Sequence, residues 1–199
     1  MKEKLWLWLD KVMDIVLLSL LILIFSLPII TMMASFSAGI QVFRIKQAGI
    51  VSDNVFRLFF ISFKSIFFKG LIGELVLGLF YFIGLVNVEI ARTAAHSMSI
   101  FIYSITAFFL LVITLTAINY MIVMPEKRRS MKEILRNSLI MTFVKFPYSF
   151  SIGICYVVLV LSIIFFPPIM IVTIGTVSFI HQRFGRKIWN AASQVLAAP

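Results

Sequence analysis

The stretch Asp14-IVLLSLLILIFSLPIITMM (15–33) decides the class of this protein, because nineteen consecutive uncharged and mostly aliphatic residues follow the aspartate. A helix crossing the ~30 Å hydrocarbon core of a bilayer needs about 20 such residues. The run continues through ASFSAGIQVF (34–43) before the first following charge, Arg44. Working outward, further apolar runs lie at 66–88, where Lys69 and Glu74 interrupt, and at 99–124, which stops at Pro125 before Glu126-Lys127-Arg128-Arg129. A proline followed by a charge cluster is a sharp helix stop. The stretch 149–182 is too long for one crossing and carries Pro167-Pro168, two residues without a backbone N–H. It reads as two legs, 149–166 and 169–182, the second either a thin span or half of a re-entrant hairpin.

Composition agrees. Of 199 residues, 61% are hydrophobic and 13% charged, and the mean hydropathy is +1.07. Soluble domains average nearer half apolar and a quarter charged, so lipid must solvate much of this surface. The fold expected is an all-α integral membrane bundle, one domain over 1–199. It has about five transmembrane segments (14–34 extending helically to 46, 66–88, 99–124, 149–166, 169–182) and two interfacial amphipathic helices, about 52–65 and 130–146. In the first of these, Val55, Phe56, Phe59, Phe60, Phe63 and Phe67 recur at helical spacing, and Ser52 or Asp53 is placed to cap the start. In the second, Ser130 and Glu133 have capping-box spacing. Packing against the bundle is the plainer reading of the phenylalanine stripe. The repeated order, amphipathic then spanning, hints at an internal duplication.

The protein carries 18 Lys and Arg against 8 Asp and Glu. Placed between apolar runs, the excess reads as cytoplasmic loops under the positive-inside rule rather than as a nucleic-acid surface. With five crossings and the N-terminus outside, 14 of the 18 fall inside, leaving Lys2, Lys4, Lys11 and Arg92 outside. N-out and C-in is therefore the orientation expected, with Trp6, Trp8 and Trp189 at the headgroup level. The basic start also fits a signal peptide, with Ser35-Phe36-Ser37 as a small-residue cleavage site. The long apolar run and the acidic Asp10 and Asp14 argue for a retained segment. The basic run at 127–132 is placed to meet anionic lipid headgroups.

The blocks LDKVMDIVLLSLLILIFSLPIITMMASFSAGIQV (9–42), VFRLFFISFKSIFFKG (55–70) and FFPP (165–168) resemble the YesL family of bacterial membrane proteins. The most specific parts are Asp14, the Leu27-Pro28 break followed by small residues, and the Phe-Arg-x-Phe-Phe block at 56–60. The resemblance implies a small multi-helix plasma-membrane protein encoded beside carbohydrate-uptake and sugar-degradation functions. It carries no catalytic residues.

Glu74 is the polar residue most out of place, since a carboxylate within a spanning helix costs about 2.5–3.5 kcal/mol on insertion scales. Matching depths across five spans gathers Glu74, Asn119, Thr116 and Tyr156 into one candidate polar cavity near Cys155, with the Pro28 break leaving a backbone carbonyl as an extra ligand. The competing reading is ordinary interhelical hydrogen bonding. Gly70, Gly73 and Gly78 read as a close-packing face, as do Ala34, Ser35, Ser37, Ala38 and Gly39. His96 and His181 lack metal-ligand spacing, Cys155 is alone, and no phosphate-binding glycine loop occurs. No enzyme activity, metal or cofactor is expected. The functional expectation is an accessory or scaffold component of carbohydrate uptake or sensing, partnered by a sugar permease or sensor kinase, with homo-oligomers permitted. The alternative is a small solute transporter or channel built around Glu74 and the helix breaks at Pro28 and Pro167-Pro168. An intramembrane enzyme is the least supported class.

Overall fold

A computed structural model describes residues 2–48, 54–93, 96–125, 129–144, 146–165 and 167–197. Side chains 2–8, 10, 11, 96, 97, 167, 170 and 187–197 lie outside the description, so the expectations for Trp6, Trp8, Trp189 and the His96 imidazole fall outside it, as do Ser52, Asp53, Lys127 and Arg128. The described chain is a helical bundle: α1 (Lys2–Ser26), α2 (Met32–Gln47), α3 (Val55–Thr93), α4 (His96–Val123), α5 (Met131–Val144), α6 (Phe146–Phe165) and α7 (Met170–Ala197). Short 3-10 turns, Ile29–Thr31 and Pro167–Ile169, precede α2 and α7.

Among the described residues, three helices are long and apolar enough to cross a membrane: α3, α4 from Met98 onward, and α6. The first expected span differs. Pro28 cannot donate, and the residue before a proline is steered away from helical dihedrals. The helix therefore ends at Ser26, and the chain reverses through the 3-10 turn instead of continuing to 46. Asp14 of α1 then lies beside Lys46 of α2, their charged atoms 2.5 Å apart. Ile22 packs where Gly39 leaves room. A hairpin replaces the single long helix. The apolar part of α1, Val12–Ser26, is only 15 residues, about 22 Å.

The second difference is in α3. The expected interfacial helix (52–65) and span (66–88) are one uninterrupted helix of 39 residues, about 58 Å long. Arg57, Lys64 and Lys69 do not end it, because lysine and arginine are good helix formers and none of the three removes a backbone donor. Between Lys69 and Glu89 run 19 residues with Glu74 the only charge. That is about 29 Å of rise, a match for the hydrocarbon core. Asn54 supplies the cap, its side-chain oxygen accepting from the Phe56 N–H at 3.2 Å.

The phenylalanine stripe packs inward around Phe25 of α1, whose ring lies 4.9–5.5 Å from those of Phe59, Phe60 and Phe63. Phe59 is fully buried, while Phe56 and Phe60 are exposed at the edge of the cluster. The upper part of α3 runs antiparallel to α4: Leu110 packs over Gly84, Tyr81 meets Thr114, and the Tyr120 hydroxyl donates to the Lys69 carbonyl at 2.7 Å.

α2 is the centre of the bundle. Residues 33–40 are all buried, and the helix touches α1, α3, α4 and α7. Its small residues permit this. Ala34 lies against Gly70 of α3, Ser37 donates to the Met121 carbonyl of α4 at 2.7 Å, and Gly39 admits Ile22. Within lipid, such close approach carries helix association, since burial from water no longer contributes. α5 begins with the reciprocal capping box. Ser130 N–H donates to Glu133 at 3.0 Å, and Glu133 N–H to the Ser130 hydroxyl at 3.3 Å. It buries Ile134, Asn137, Ser138, Met141 and Thr142, the i, i+3, i+4, i+7, i+8 set of one helical face. After Pro167–Ile169, α7 continues to Ala197 instead of stopping near 182.

Candidate functional site

The polar side chains of the bundle fall into separate groups. In the first, the Asn119 amide of α4 donates to Thr142 of α5 at 3.1 Å and to Ser149 of α6 at 3.0 Å. Thr116, one turn earlier on α4, lies 3.4 Å from the same Thr142 hydroxyl. These four residues are all at most 3% exposed. Each hydroxyl also reaches a carbonyl of its own helix or the preceding one: Thr116 to Val112, Thr142 to Ser138, Ser149 to Met141. The arrangement knits three helices together. Only the Asn119 carbonyl oxygen lacks a partner.

The second group pairs Tyr156 of α6 with His181 of α7, hydroxyl to Nδ1 at 2.8 Å, the rings edge to face. The Tyr156 hydroxyl also lies 3.6 Å from the Met121 sulfur. Its ring packs beside Phe36. His181 is completely buried and its Nε2 has no partner. Glu74 stands apart from both groups. One carboxylate oxygen accepts from the Met33 N–H at 3.4 Å, at the start of α2.

The expected convergence of Glu74, Asn119, Thr116 and Tyr156 is thus partial. Thr116 and Asn119 meet; Tyr156 turns to His181; Glu74 joins the α1–α2 hairpin. The carbonyl left by the missing Pro28 N–H is that of Ile24, which accepts from the Leu27 N–H at 3.4 Å, and the Thr31 hydroxyl lies 2.5 Å from the Phe25 carbonyl and 2.8 Å from that of Pro28. Among the glycines, Gly70 and Gly73 are packed against Ala34 and Tyr120, whereas Gly78 faces open space. Pro167 and Pro168 form the 3-10 turn before α7. Cys155 is a free, half-buried thiol.

Residues that sequence reasoning missed sit at the basic end. Gln41 and Arg44 of α2, Ile122 and Pro125 at the end of α4, and Gln182 and Arg186 of α7 line a small cavity of about 30 Å3. Gln182 is 3% exposed. Both of its amide atoms, and the amide oxygen of Gln41, are buried without partners. The signal was present: His181-Gln182 interrupts the apolar run MIVTIGTVSFI, and Gln41 follows AGI. A wider cleft of about 670 Å3 opens nearby between Val12, Ile15, Phe43 and Phe179, with the Asp14–Lys46 pair on its wall. Among the described residues, no three His, Cys, Asp or Glu side chains gather as metal ligands. No protein-family model, curated protein or solved structure matches the chain.

Proposed function

We propose that the protein is a non-catalytic accessory or scaffold subunit of the bacterial plasma membrane, docking onto another membrane protein. The carrying observation is that four polar side chains within the bundle hydrogen-bond to one another across three helices, leaving the Asn119 carbonyl oxygen over. Thr116, Asn119, Thr142 and Ser149 close on themselves, and Glu74 is not among them. A solute path needs such groups left facing a shared cavity. The resemblance to the YesL family directs the choice of partner to a sugar permease or a sensor kinase.

The Asp14–Lys46 pair also supports a revised orientation. With α1 and α2 as a hairpin, the N-terminal lysines join the basic residues of the other loops. Of 18 Lys and Arg, 17 then lie on one side and Arg92 alone on the other (18 − 1). The positive-inside rule makes that side cytoplasmic, with both chain ends there, in place of an outside N-terminus.

Two measurements test the role. The full chain isolated from its native membrane is expected to carry a permease or kinase in fixed stoichiometry, and the pure protein in liposomes to pass no sugar or ion. Solute flux by the pure protein, abolished by Glu74→Gln, would establish the transporter reading instead.

A further inference from the structure

The turn between α1 and α2 combines an exposed apolar surface with backbone polar groups that are already bonded. Leu27 and Ile29 are 77% and 78% exposed, and Ile24, Ile30 and Met32 beside them are exposed as well. No charge occurs between Asp14 and Arg44. Turns that face water favour Gly, Asn, Asp and Ser, and their backbone bonds to solvent. Here side chains take that place. The Ser26 hydroxyl donates to the Leu23 carbonyl at 3.0 Å, the Thr31 hydroxyl lies within reach of those of Phe25 and Pro28, and the Ser35 hydroxyl donates to that of Thr31 at 2.9 Å. The Thr31 and Met32 N–H groups donate within the turn, to the Pro28 and Ile29 carbonyls. The Met33 N–H, in the first turn of α2 and so without a partner in its own helix, reaches the Glu74 carboxylate of α3. Irregular backbone is tolerated at membrane depth only where its polar groups find such partners.

The contacts on either side of the turn limit how far it reaches. Before it, the Phe25 ring packs on Phe59, Phe60 and Phe63 of α3. After it, Met33 meets Glu74, and Ala34 lies against Gly70. Each of these α3 residues is at or before Glu74. Glu89, where the uncharged run of α3 ends, is 15 positions further on, about 22 Å. The residues 26–32 must travel out and back, so even at the ~3.5 Å per residue of extended chain they reach only about 12 Å. The 3-10 turn at Ile29–Thr31 shortens that. Helix lengths agree. The apolar part of α1 has 15 residues and α2 has 16, about 22 and 24 Å, both short of the ~30 Å core.

We infer that α1 and α2 form a re-entrant hairpin: its Leu27–Ile30 tip ends inside the hydrocarbon, against the acyl chains of the leaflet on the basic side, and never surfaces on the far face. Its partner is lipid, because Leu27, Pro28, Ile29 and Ile30 offer water no polar side chain, and the flanking hydroxyls of Ser26 and Thr31 are turned onto the backbone. Glu74 then has a reason to stand in an apolar helix: it accepts from an α2 N–H at a depth that bulk water does not reach. The inference does not rest on the accessory role. Both chain ends stay on one side whether the hairpin is re-entrant or spanning.

The test places single cysteines in the full chain, in a Cys155→Ala background, at three exposed positions: Ile29 at the tip, Gln47 at the base of α2 and Thr93 at the far end of α3. Cells expressing each variant are treated with a membrane-impermeant maleimide before and after permeabilisation. Gln47→Cys and Thr93→Cys are expected to label from opposite faces, and Ile29→Cys from neither. The purified variants, spin-labelled at the same positions in phosphatidylcholine nanodiscs, give a second reading. At position 29, collisions with oxygen, which partitions into acyl chains, are expected to exceed those with a water-soluble nickel chelate; at 47 and 93 the order reverses. Leu27→Cys, at the other highly exposed position of the tip, repeats both measurements independently of how Ile29→Cys folds. Labelling of the tip from the Thr93 face makes the hairpin a full span and overturns the inference. Labelling from the Gln47 face puts the tip in water, and shielding from oxygen and nickel alike puts it against protein; either result overturns it too. So does labelling of Gln47→Cys and Thr93→Cys from one face.

Discussion

Replacing Gly70 by alanine, set against the same change at Gly78, tests how α2 is seated in the bundle. A methyl group at position 70 lies 2.7 Å from the Ala34 Cβ and 3.0 Å from its Cα and N. Ordinary carbon contacts are ~3.5–4.0 Å. Ala34 is completely buried, and two of the three clashing atoms are backbone, so no rotamer change relieves them. α2 must shift, and α2 is held on its other faces by α1, α4 and α7. At Gly78 the added methyl meets nothing within 4 Å. Both changes gain the same helix propensity, about 1 kcal/mol relative to glycine, which cancels in the comparison. The remainder is the overpacking penalty, typically about 1–3 kcal/mol. We therefore expect Gly70→Ala to be less stable than Gly78→Ala by that amount in denaturant or SDS titrations of the protein in micelles. Adding Ala34→Gly to Gly70→Ala removes the nearest clash and recovers part of the difference, giving a non-zero coupling in the double-mutant cycle. Equal stability of the two alanine variants would refute the close seating of α2 on α3.

Three further outcomes follow from other parts of the structure. In a Cys155→Ala background, Asp14→Cys and Lys46→Cys are expected to be bridged by a short bifunctional maleimide. A continuous helix over 14–46 separates them by about 48 Å, so failure to crosslink in folded protein argues against the hairpin. Asn119→Ala removes donors from Thr142 and Ser149 and is expected to lower stability by about 1–2 kcal/mol; Ser149→Ala in that background adds little, because the shared bond is already gone. Glu74→Gln keeps an acceptor for the Met33 N–H and removes a charge from an apolar helix. It is expected to leave stability within about 0.5 kcal/mol or raise it, and a loss of several kcal/mol points to an ionic role for Glu74.

Much of the helical architecture was readable one residue at a time because its causes are local. The apolar runs of α3, α4 and α6 follow from the length of chain needed to cross hydrocarbon. The capping box at Ser130 and Glu133 depends on a three-residue spacing. The break at Pro28 was visible as well, but the chain was expected to run on helically to 46, and the stop at Ser26 came only from the structure. The Thr116–Asn119 association was half visible too, since residues three apart share a helix face. Their partners Thr142 and Ser149, which lie 23 and 30 residues from Asn119, were not.

What the amino-acid order determined alone is therefore where apolar helices can run and that they are apolar enough to cross a membrane. It did not determine direction after a stop. Pro28 ends a helix equally well before a kink and before a reversal, and only the docking of Ala34 on Gly70 and Asp14 on Lys46 selects the hairpin. Nor did it determine continuity: Lys64 and Lys69 interrupt the apolar run without breaking the backbone hydrogen bonds of α3. Depth-matching grouped Glu74 with Tyr156 because each lies a similar number of residues past the start of its span, 66 and 149. In the folded chain Tyr156 meets His181, and the orphaned amides of Gln41 and Gln182 line one cavity, because which side chains face each other across helices is set by packing and not by sequence distance.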